Sequence, residues 1–198
     1  QVILQNVDTS AGQAMVSNAI GALAASGATQ TNLGLDMAQR ILSANPVQAS
    51  EKRNRVVIVF TDGAPTSFNG FEKDVADNAI TYAGTIKTTG ATVYTIGIFA
   101  GANATSAGTE PTGDLDQDSS SLNSACNWFM QQVSSNNGTP RTPSYYLSAA
   151  DTGSLSNIFQ QISDNIETGG SSSTLTEESV VRDIISPQFT LPAGATAS

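Results

Sequence analysis

Residues 55–66 read RVVIVFTDGAPT, and this stretch decides the fold. An unbroken apolar run over 56–60 is followed directly by Thr61, Asp62 and Gly63. A short continuous apolar run is typical of a strand buried on both faces of a parallel sheet. Ligands of open parallel sheets bind outside the carboxyl ends of the strands, which is where Asp62 would lie. The stretch therefore predicts a buried parallel strand with a site at its end.

The residues after this strand complete a strand–helix–strand unit. Apolar residues at helical spacing predict a helix over 71–87, which ends near Gly90. ATVYTIGIF, residues 91–99, reads as a second buried strand. Such a unit implies parallel strands with a right-handed crossover. We therefore expect the two strands to be adjacent and parallel, with the helix on one face.

The other segments extend this α/β pattern. Further helices are predicted over 11–25, 32–44, 121–134 and 154–167, and a short third strand over 144–150. Asn32 is the expected N-cap of the second of these helices, and Asp151 or Thr152 that of the last. Residues 100–120 are expected to form a long surface loop. The expected domain organisation is a domain over 1–168, a linker over 169–173 and the start of a β-rich segment over 174–198.

The composition excludes several classes of function. The chain has 198 residues and a net charge of −9, and its basic residues are scattered, which argues against a nucleic-acid partner. No apolar run is long enough to cross a membrane. The chain has no histidine, so Ser-His-Asp and Cys-His nucleophile systems and His-ligated zinc are excluded. We therefore expect no enzyme activity.

A second loop carries hydroxyl groups that are expected to lie near Asp62. GATQTNLG, residues 27–34, contains Thr29 and Thr31 before the second predicted helix. A carboxylate and a threonine hydroxyl that meet at strand ends suit a hard divalent cation with oxygen ligands. Asp-Gly after a strand can also be a simple turn, so the cation site is a hypothesis at this point.

Several stretches together resemble the von Willebrand factor type A domains. The matching segments are GATQTNLGLDMAQRIL, VVIVFTDGAPT, TVYTIGIF and YYLSAADTGSLSNIFQQI, which cover about residues 10–167. The apolar strand that ends in Thr-Asp-Gly is the most specific of them. The resemblance implies an α/β fold with a doubly wound, mostly parallel sheet flanked by helices, and a metal-ion-dependent adhesion site.

The resemblance also implies which residues form that site. The family uses a threonine of the first loop and the aspartate of Thr-Asp-Gly, which here are Thr29 and Asp62. Thr31 is the substitute if the register of the loop differs. The implied cofactor is Mg²⁺, with Mn²⁺ or Ca²⁺ as alternatives. A carboxylate of a protein partner would complete the coordination, so the implied function is an adhesive binding module.

Within the family, the chain is similar to domains of Gram-positive surface and pilus adhesins. This finer resemblance is carried by NWFMQQVSSNN followed by YYLSAADTGSLSNIFQQIS, and by the tail SVVRDIISPQFTLPAG. It implies an extracellular position at the cell wall and a protein ligand such as a host matrix protein or receptor. One alternative is a structural interaction domain with a vestigial metal site that binds through loop 100–120. A remote alternative is a hydrolase that uses a metal-bound water.

The chain departs from the family at the third metal-binding element, Asp-x-Ser-x-Ser. Only 28 residues precede Thr29, and Asp8-Thr9-Ser10 imitates the motif with Gly12 in place of its last serine. Either this is the motif, or it is a loop after a later strand and the domain is N-terminally truncated, which we favour. The metal site of such a fragment could be empty. Strand 56–60 would then expose its edge, which is expected to pair with an N-terminal fragment, a swapped domain or another copy.

Two further features have simple structural interpretations. Asp114, Asp116 and Asp118 imitate the start of a calcium loop, but the expected glycine and final glutamate are absent, so a solvated acidic loop is predicted. The single cysteine, Cys126, is predicted to be a buried small hydrophobic residue. Its neighbours Trp128 and Phe129 are expected in the core.

Overall fold

The computed structural model describes residues 4–24, 27–48, 53–149 and 152–171. Within them lie five α-helices, three strands and one 3₁₀ turn, Thr152–Ser154. The helices are α1 (Ser10–Gly21), α2 (Thr31–Ala44), α3 (Lys73–Thr88), α4 (Leu122–Val133) and α5 (Leu155–Ser171). The strands are β1 (Val56–Thr61), β2 (Thr92–Gly97) and β3 (Tyr146–Ser148). No helix in these ranges is long and apolar enough to cross a membrane.

The three strands form one parallel sheet in the order β1-β2-β3. Val56 is paired with Thr92 and Thr61 with Gly97, so β1 and β2 run side by side over their full length. The predicted adjacency and direction of these two strands are confirmed. Since α3 connects them, the strand–helix–strand unit is also confirmed.

The sheet has helices on both faces, as the α/β prediction requires. On one face, Val93 and Tyr146 pack with α3 and α4 in a core with side chains that include Ala79, Ala83, Ile86, Phe129 and Met130. On the other face, Tyr94, Ile96 and Leu147 pack with Ile158 and Ile162 of α5. Trp128, Phe129 and Cys126 are all buried, as predicted.

The expectation that β1 is buried on both faces is wrong. Val57 and Val59 pack against the core formed with α3 and α4, but Ile58 is 40% exposed and Phe60 is 51% exposed. The buried residues that pack with α5 come from β2, β3 and the residue after β3, and β1 adds only the partly buried Val56 at its start. No strand in the described ranges lies along the outer edge of β1. An unbroken apolar run therefore occurs here in an edge strand with one covered face.

The helix starts differ in detail from the predictions. The N-cap of α2 is Gln30, and Asn32 lies inside the first turn, so the prediction of Asn32 as the cap is wrong. The turn begins earlier because the Leu33 amide already donates to the Gln30 carbonyl at 3.1 Å. The apolar side chains of α1 are largely exposed, among them Met15 and Ile20, and Leu23 just after the helix is exposed as well.

The C-terminal part is described as far as α5. This helix extends to Ser171 and so includes the first residues of the segment predicted as a linker. Asp151, one of the two predicted caps of this helix, lies outside the described residues, as does the segment 174–198.

Loop 100–120 contains no helix or strand, but side chains of α4 form hydrogen bonds with its backbone. The buried Gln131 amide donates to the carbonyl oxygens of Ala104 and Ser106, both at 2.9 Å. The Asn127 amide donates to the Gly101 carbonyl at 2.9 Å, and its oxygen accepts from the Asn103 amide at 2.8 Å. These bonds give the loop a defined backbone path across the top of α4.

Candidate ligand site at the carboxyl end of the sheet

A cleft of about 400 Å³ opens at the carboxyl end of β1. Its walls come from the loop before α2, the loop after β1, the loop after β2 and the start of α4. The polar side chains that line it are Thr29, Asp62, Thr66, Asn69, Gln117 and Asn123. Phe68, Phe99, Leu122 and Cys126 supply apolar surface. The position agrees with the general location of ligand sites in open parallel sheets.

The turn that presents Asp62 is fixed by the buried residue before it. Thr61 is 4% exposed and ends β1. Its hydroxyl donates to the Gly63 carbonyl at 3.0 Å and accepts from the Gly63 amide at 3.2 Å. Asp62 lies between these two anchored residues, with its side chain exposed. The backbone of Asp62 is therefore fixed beside the cleft, and its carboxylate lines the cleft.

Thr29 lies beside this turn. A Cβ atom placed on Gly63 would be 3.4 Å from the Thr29 hydroxyl oxygen, so the two segments are in contact. The Thr29 carbonyl also accepts from the Thr66 amide at 3.0 Å, which ties the two loops together. The structure thus brings Thr29 and Asp62 into one cleft.

Thr31 has a different environment. It is absent from the cleft lining, and its hydroxyl oxygen is buried without a hydrogen-bond partner. Of the two threonines considered from the sequence, only Thr29 therefore faces the cleft with Asp62. Metal binding by Thr29, Asp62 and Thr31 stays a prediction.

The donor atoms in the cleft fit a hard cation only in part. A carboxylate and a hydroxyl are suitable oxygen ligands for Mg²⁺, which often keeps several waters and takes one or two protein carboxylates. Within the described residues, however, no group of three or more His, Cys, Asp or Glu side chains could hold a metal ion. Thr29 and Asp62 would be the protein ligands that the described part contributes.

Sequence reasoning missed three amide side chains of the cleft, Asn69, Gln117 and Asn123. Their carbonyl oxygens are of a type that also binds hard cations or polar ligand groups. They lie in three different segments and form no motif. Only the fold brings them together, so no sequence signal could have identified them.

Asp8-Thr9-Ser10 begins helix α1 in the structure. Thr9 is its N-cap, with the hydroxyl accepting from the Gly12 amide at 3.1 Å. A Cβ atom at Gly12 would lie 1.9 Å from the Asn6 carbonyl oxygen. This backbone has no room for the serine that Asp-x-Ser-x-Ser would need there, which favours the interpretation that the segment is not the motif.

Glu72 organises the loop that forms one wall of the cleft. Its carboxylate accepts from the Phe68 amide at 2.8 Å, from the Thr66 hydroxyl at 3.1 Å and from the Ser67 hydroxyl. These bonds, chiefly the one from Ser67, hold the pKa of the Glu72 carboxyl below its ordinary value. The ionised side chain thus serves as the hub of the loop.

Two other residues near the cleft have structural roles. Asp114, Asp116 and Asp118 are all exposed, so the predicted solvated acidic loop is confirmed. Asp114 also accepts a hydrogen bond from the Lys73 amide at the start of α3 and so caps this helix. Burial raises the pKa of the Cys126 thiol to about 12 and keeps it protonated, so this residue behaves as the predicted small hydrophobic group.

A parallel sheet with helices on both faces and a polar cleft at its carboxyl end defines a class of α/β ligand-binding domains. A family model of the von Willebrand factor type A domain matches residues 2–161. The chain therefore belongs to the von Willebrand factor type A family. At the level of this family, the chain is a module of the protein-interaction and adhesion type, and such domains often bind a divalent metal. Comparisons with curated proteins and with solved structures return no match.

Proposed function

We propose that the chain is an extracellular adhesion module that binds a protein ligand through a divalent cation held at the cleft. The observation that carries this proposal is the meeting of Thr29 and Asp62 in one cleft at the carboxyl end of β1. Mg²⁺ is the proposed ion, with Mn²⁺ or Ca²⁺ as alternatives, and a carboxylate of the ligand would occupy a further coordination position.

The chemistry of the cleft favours binding over catalysis. Among the described residues that line it, Asp62 is the only carboxylate, and the whole chain has no histidine. A hydrolytic mechanism with a metal-bound water would also need a group positioned to move a proton. We therefore propose a module without enzyme activity.

The finer setting is also part of the proposal. A cell-surface position, and membership of a Gram-positive pilus or cell-wall adhesin, are supported by the similarity of NWFMQQVSSNN and SVVRDIISPQFTLPAG to such proteins. A host matrix protein or receptor is the corresponding ligand. The uncovered edge of β1 supports pairing with a further strand, from an N-terminal fragment or another copy.

A second candidate function is an interaction domain whose metal site is vestigial. Among the described residues, the cleft has no second carboxylate besides Asp62, and no group of three or more His, Cys, Asp or Glu side chains could hold a metal ion, which favours this alternative. The ordered loop 100–120 would then provide the contact surface. In that case, binding would not depend on a divalent cation.

A calorimetric titration of the full chain with MgCl₂ tests the main proposal. We expect saturable binding that is lost in Asp62→Ala and retained in Asp74→Ala, an exposed acidic control on α3. Equal binding by both variants, or no binding by the native chain, would contradict a cation site at the cleft. An adhesion assay with and without chelator then separates the two candidate functions.

A further inference from the structure

Phe68 is a large apolar side chain exposed at the rim of the cleft. It is 90% exposed, which is the highest value among the large apolar side chains of the described residues. It also lines the same cleft as Asp62 and Thr29. A single exposed apolar residue is ordinary on a protein surface, so its exposure alone assigns no role. What distinguishes Phe68 is that hydrogen bonds fix the backbone of the loop that carries it.

The loop that carries Phe68 is anchored before and after the ring. The Phe68 amide donates to the Glu72 carboxylate and to the Thr66 hydroxyl, at 2.8 and 3.2 Å. After it, the fully buried Phe71 exchanges two backbone hydrogen bonds with Leu115, at 2.8 and 2.9 Å. The backbone is thus fixed within three residues of the exposed ring.

Gly70 makes this anchor possible. Its φ of +66° is a conformation that L side chains rarely adopt, and a Cβ atom there would lie 2.0 Å from the Leu115 carbonyl oxygen. Only glycine allows the loop to approach the segment around Leu115 this closely. The backbone at Phe68 is therefore fixed before any ligand arrives, which lowers the backbone entropy lost on binding.

We propose that Phe68 is the apolar anchor for the protein ligand of this module, inserting its ring into a pocket of that ligand. Aromatic residues, Phe among them, are enriched in protein interfaces, and an aromatic anchor that fills a pocket of the partner can carry much of the binding energy. This inference rests on the proposed function, because it places the anchor beside the cation that Thr29 and Asp62 would hold.

The surroundings of Phe68 define the kind of partner. Phe68 lines the cleft with Asp62, where a ligand carboxylate would reach the cation. A shallow hollow next to the cleft shares Asn69 and Gln117 with it and is also lined by Asp116 and Asp118. The matching surface is a protein that presents an apolar pocket together with an acidic group for the cation and a basic group for the two aspartates. The two exposed aspartates disfavour an anionic membrane surface as the partner.

The test uses a phage-displayed library of disulfide-constrained random peptides as the probe. Peptides are selected on the full chain in the presence of MgCl₂, and dissociation constants are then measured for the native chain and its variants. Phe68→Ala removes the anchor. Phe159→Ala is the matched control, because Phe159 lies on α5 and is 46% exposed. Phe68→Trp preserves a large aromatic ring.

We expect Phe68→Ala to weaken binding at least roughly tenfold, as loss of an aromatic hot spot does. Phe159→Ala and Phe68→Trp should stay within a few fold of the native chain. The thermal unfolding midpoint of Phe68→Ala should equal that of the native chain because the ring is exposed, so reduced binding cannot reflect misfolding. Selected peptides that bind Phe68→Ala as tightly as the native chain would overturn the inference, as would a selection that yields no peptide.

The same peptides separate this inference from the function on which it rests. If chelator abolishes binding while Phe68→Ala leaves it unchanged, the cation-dependent function is supported and the aromatic anchor is wrong. If Phe68→Ala abolishes binding while chelator has no effect, the anchor is supported and the cation-dependent function is wrong.

Discussion

The Thr29 carbonyl accepts a hydrogen bond from the Thr31 amide at 2.9 Å, and this turn directs the two hydroxyl groups to different environments. The hydroxyl of Thr29 is beside Gly63 at the cleft, whereas that of Thr31 is buried without a partner. Of the two threonines in this loop, Thr29 is therefore the candidate ligand. Thr31 instead has a buried hydroxyl without a hydrogen-bond partner.

Replacing each threonine by valine separates these roles. Thr29→Val should lower the affinity for Mg²⁺, since it removes a hydroxyl from the cleft and preserves the backbone bonds of the turn. Thr31→Val should leave the affinity unchanged and raise the free energy of unfolding by up to about 1 kcal/mol, because an unpaired buried hydroxyl becomes a methyl group. Calorimetry with MgCl₂ and urea unfolding measure the two effects. The reverse pattern would make Thr31 the ligand.

Asp62→Ala should weaken Mg²⁺ binding more than Thr29→Val does. Supporting residues of metal sites typically contribute roughly 10- to 100-fold in affinity, and a direct carboxylate ligand should contribute at least as much. The unfolding midpoint without metal should stay level or rise, because Asp62 is exposed on a loop. A marked fall in that midpoint would show instead that the carboxylate stabilises the turn.

Asp114→Ala should destabilise the protein by about 1 kcal/mol, as loss of a helix cap does. The Asp114 carboxylate accepts from the Lys73 amide at 2.8 Å and so caps α3 from a segment 41 residues away. Asp118→Ala is the control, and its effect should be within about 0.5 kcal/mol. Chemical denaturation with urea measures both. Equal stability of the two variants would contradict the capping role.

The loop under Phe68 should loosen in acid. Hydrogen bonds, chiefly from Ser67, lower the pKa of Glu72 below 4.5. A group with a lowered folded-state pKa stabilises the fold above its unfolded-state pKa, and that stabilisation is lost as the pH falls through the lowered value. The Phe68 amide resonance should therefore titrate with a midpoint below 4.5. In Glu72→Gln this transition should be absent, and a transition that persists there would assign it to another group.

The fold was predictable where periodicity and element order are strong. The pairing of β1 with β2 follows from two short apolar runs separated by one helix. The exposure of Ile58 and Phe60 did not follow, because an apolar run reveals that a strand is suited to burial and contains no information on which neighbours cover it. The cap of α2 was missed because the turn at Gln30 begins through backbone bonds rather than through a side-chain signal.

The site was predictable only in its charged part. Asp62 follows an apolar strand directly, so its position at the end of the sheet could be inferred from the sequence. The choice between Thr29 and Thr31 depends on a two-residue turn, which the spacing of the residues does not determine. The amides of Asn69, Gln117 and Asn123 meet through tertiary contacts between distant segments.

The hydrogen bonds from Asn127 and Gln131 to loop 100–120 have a consequence for how this domain can change its ligand. These amides bind the main-chain carbonyl oxygens of Gly101, Ala104 and Ser106. Every amino acid supplies such a carbonyl, so most outward-facing side chains of the loop can be exchanged while its path is preserved. The backbone path of the loop is therefore set by α4, while its outward-facing side chains can vary, as on a scaffold onto which binding residues are grafted. If this loop contacts the ligand, new specificities can arise by substitution along it, as long as the two amides of α4 and the tightly packed Gly101 and Gly108 are retained.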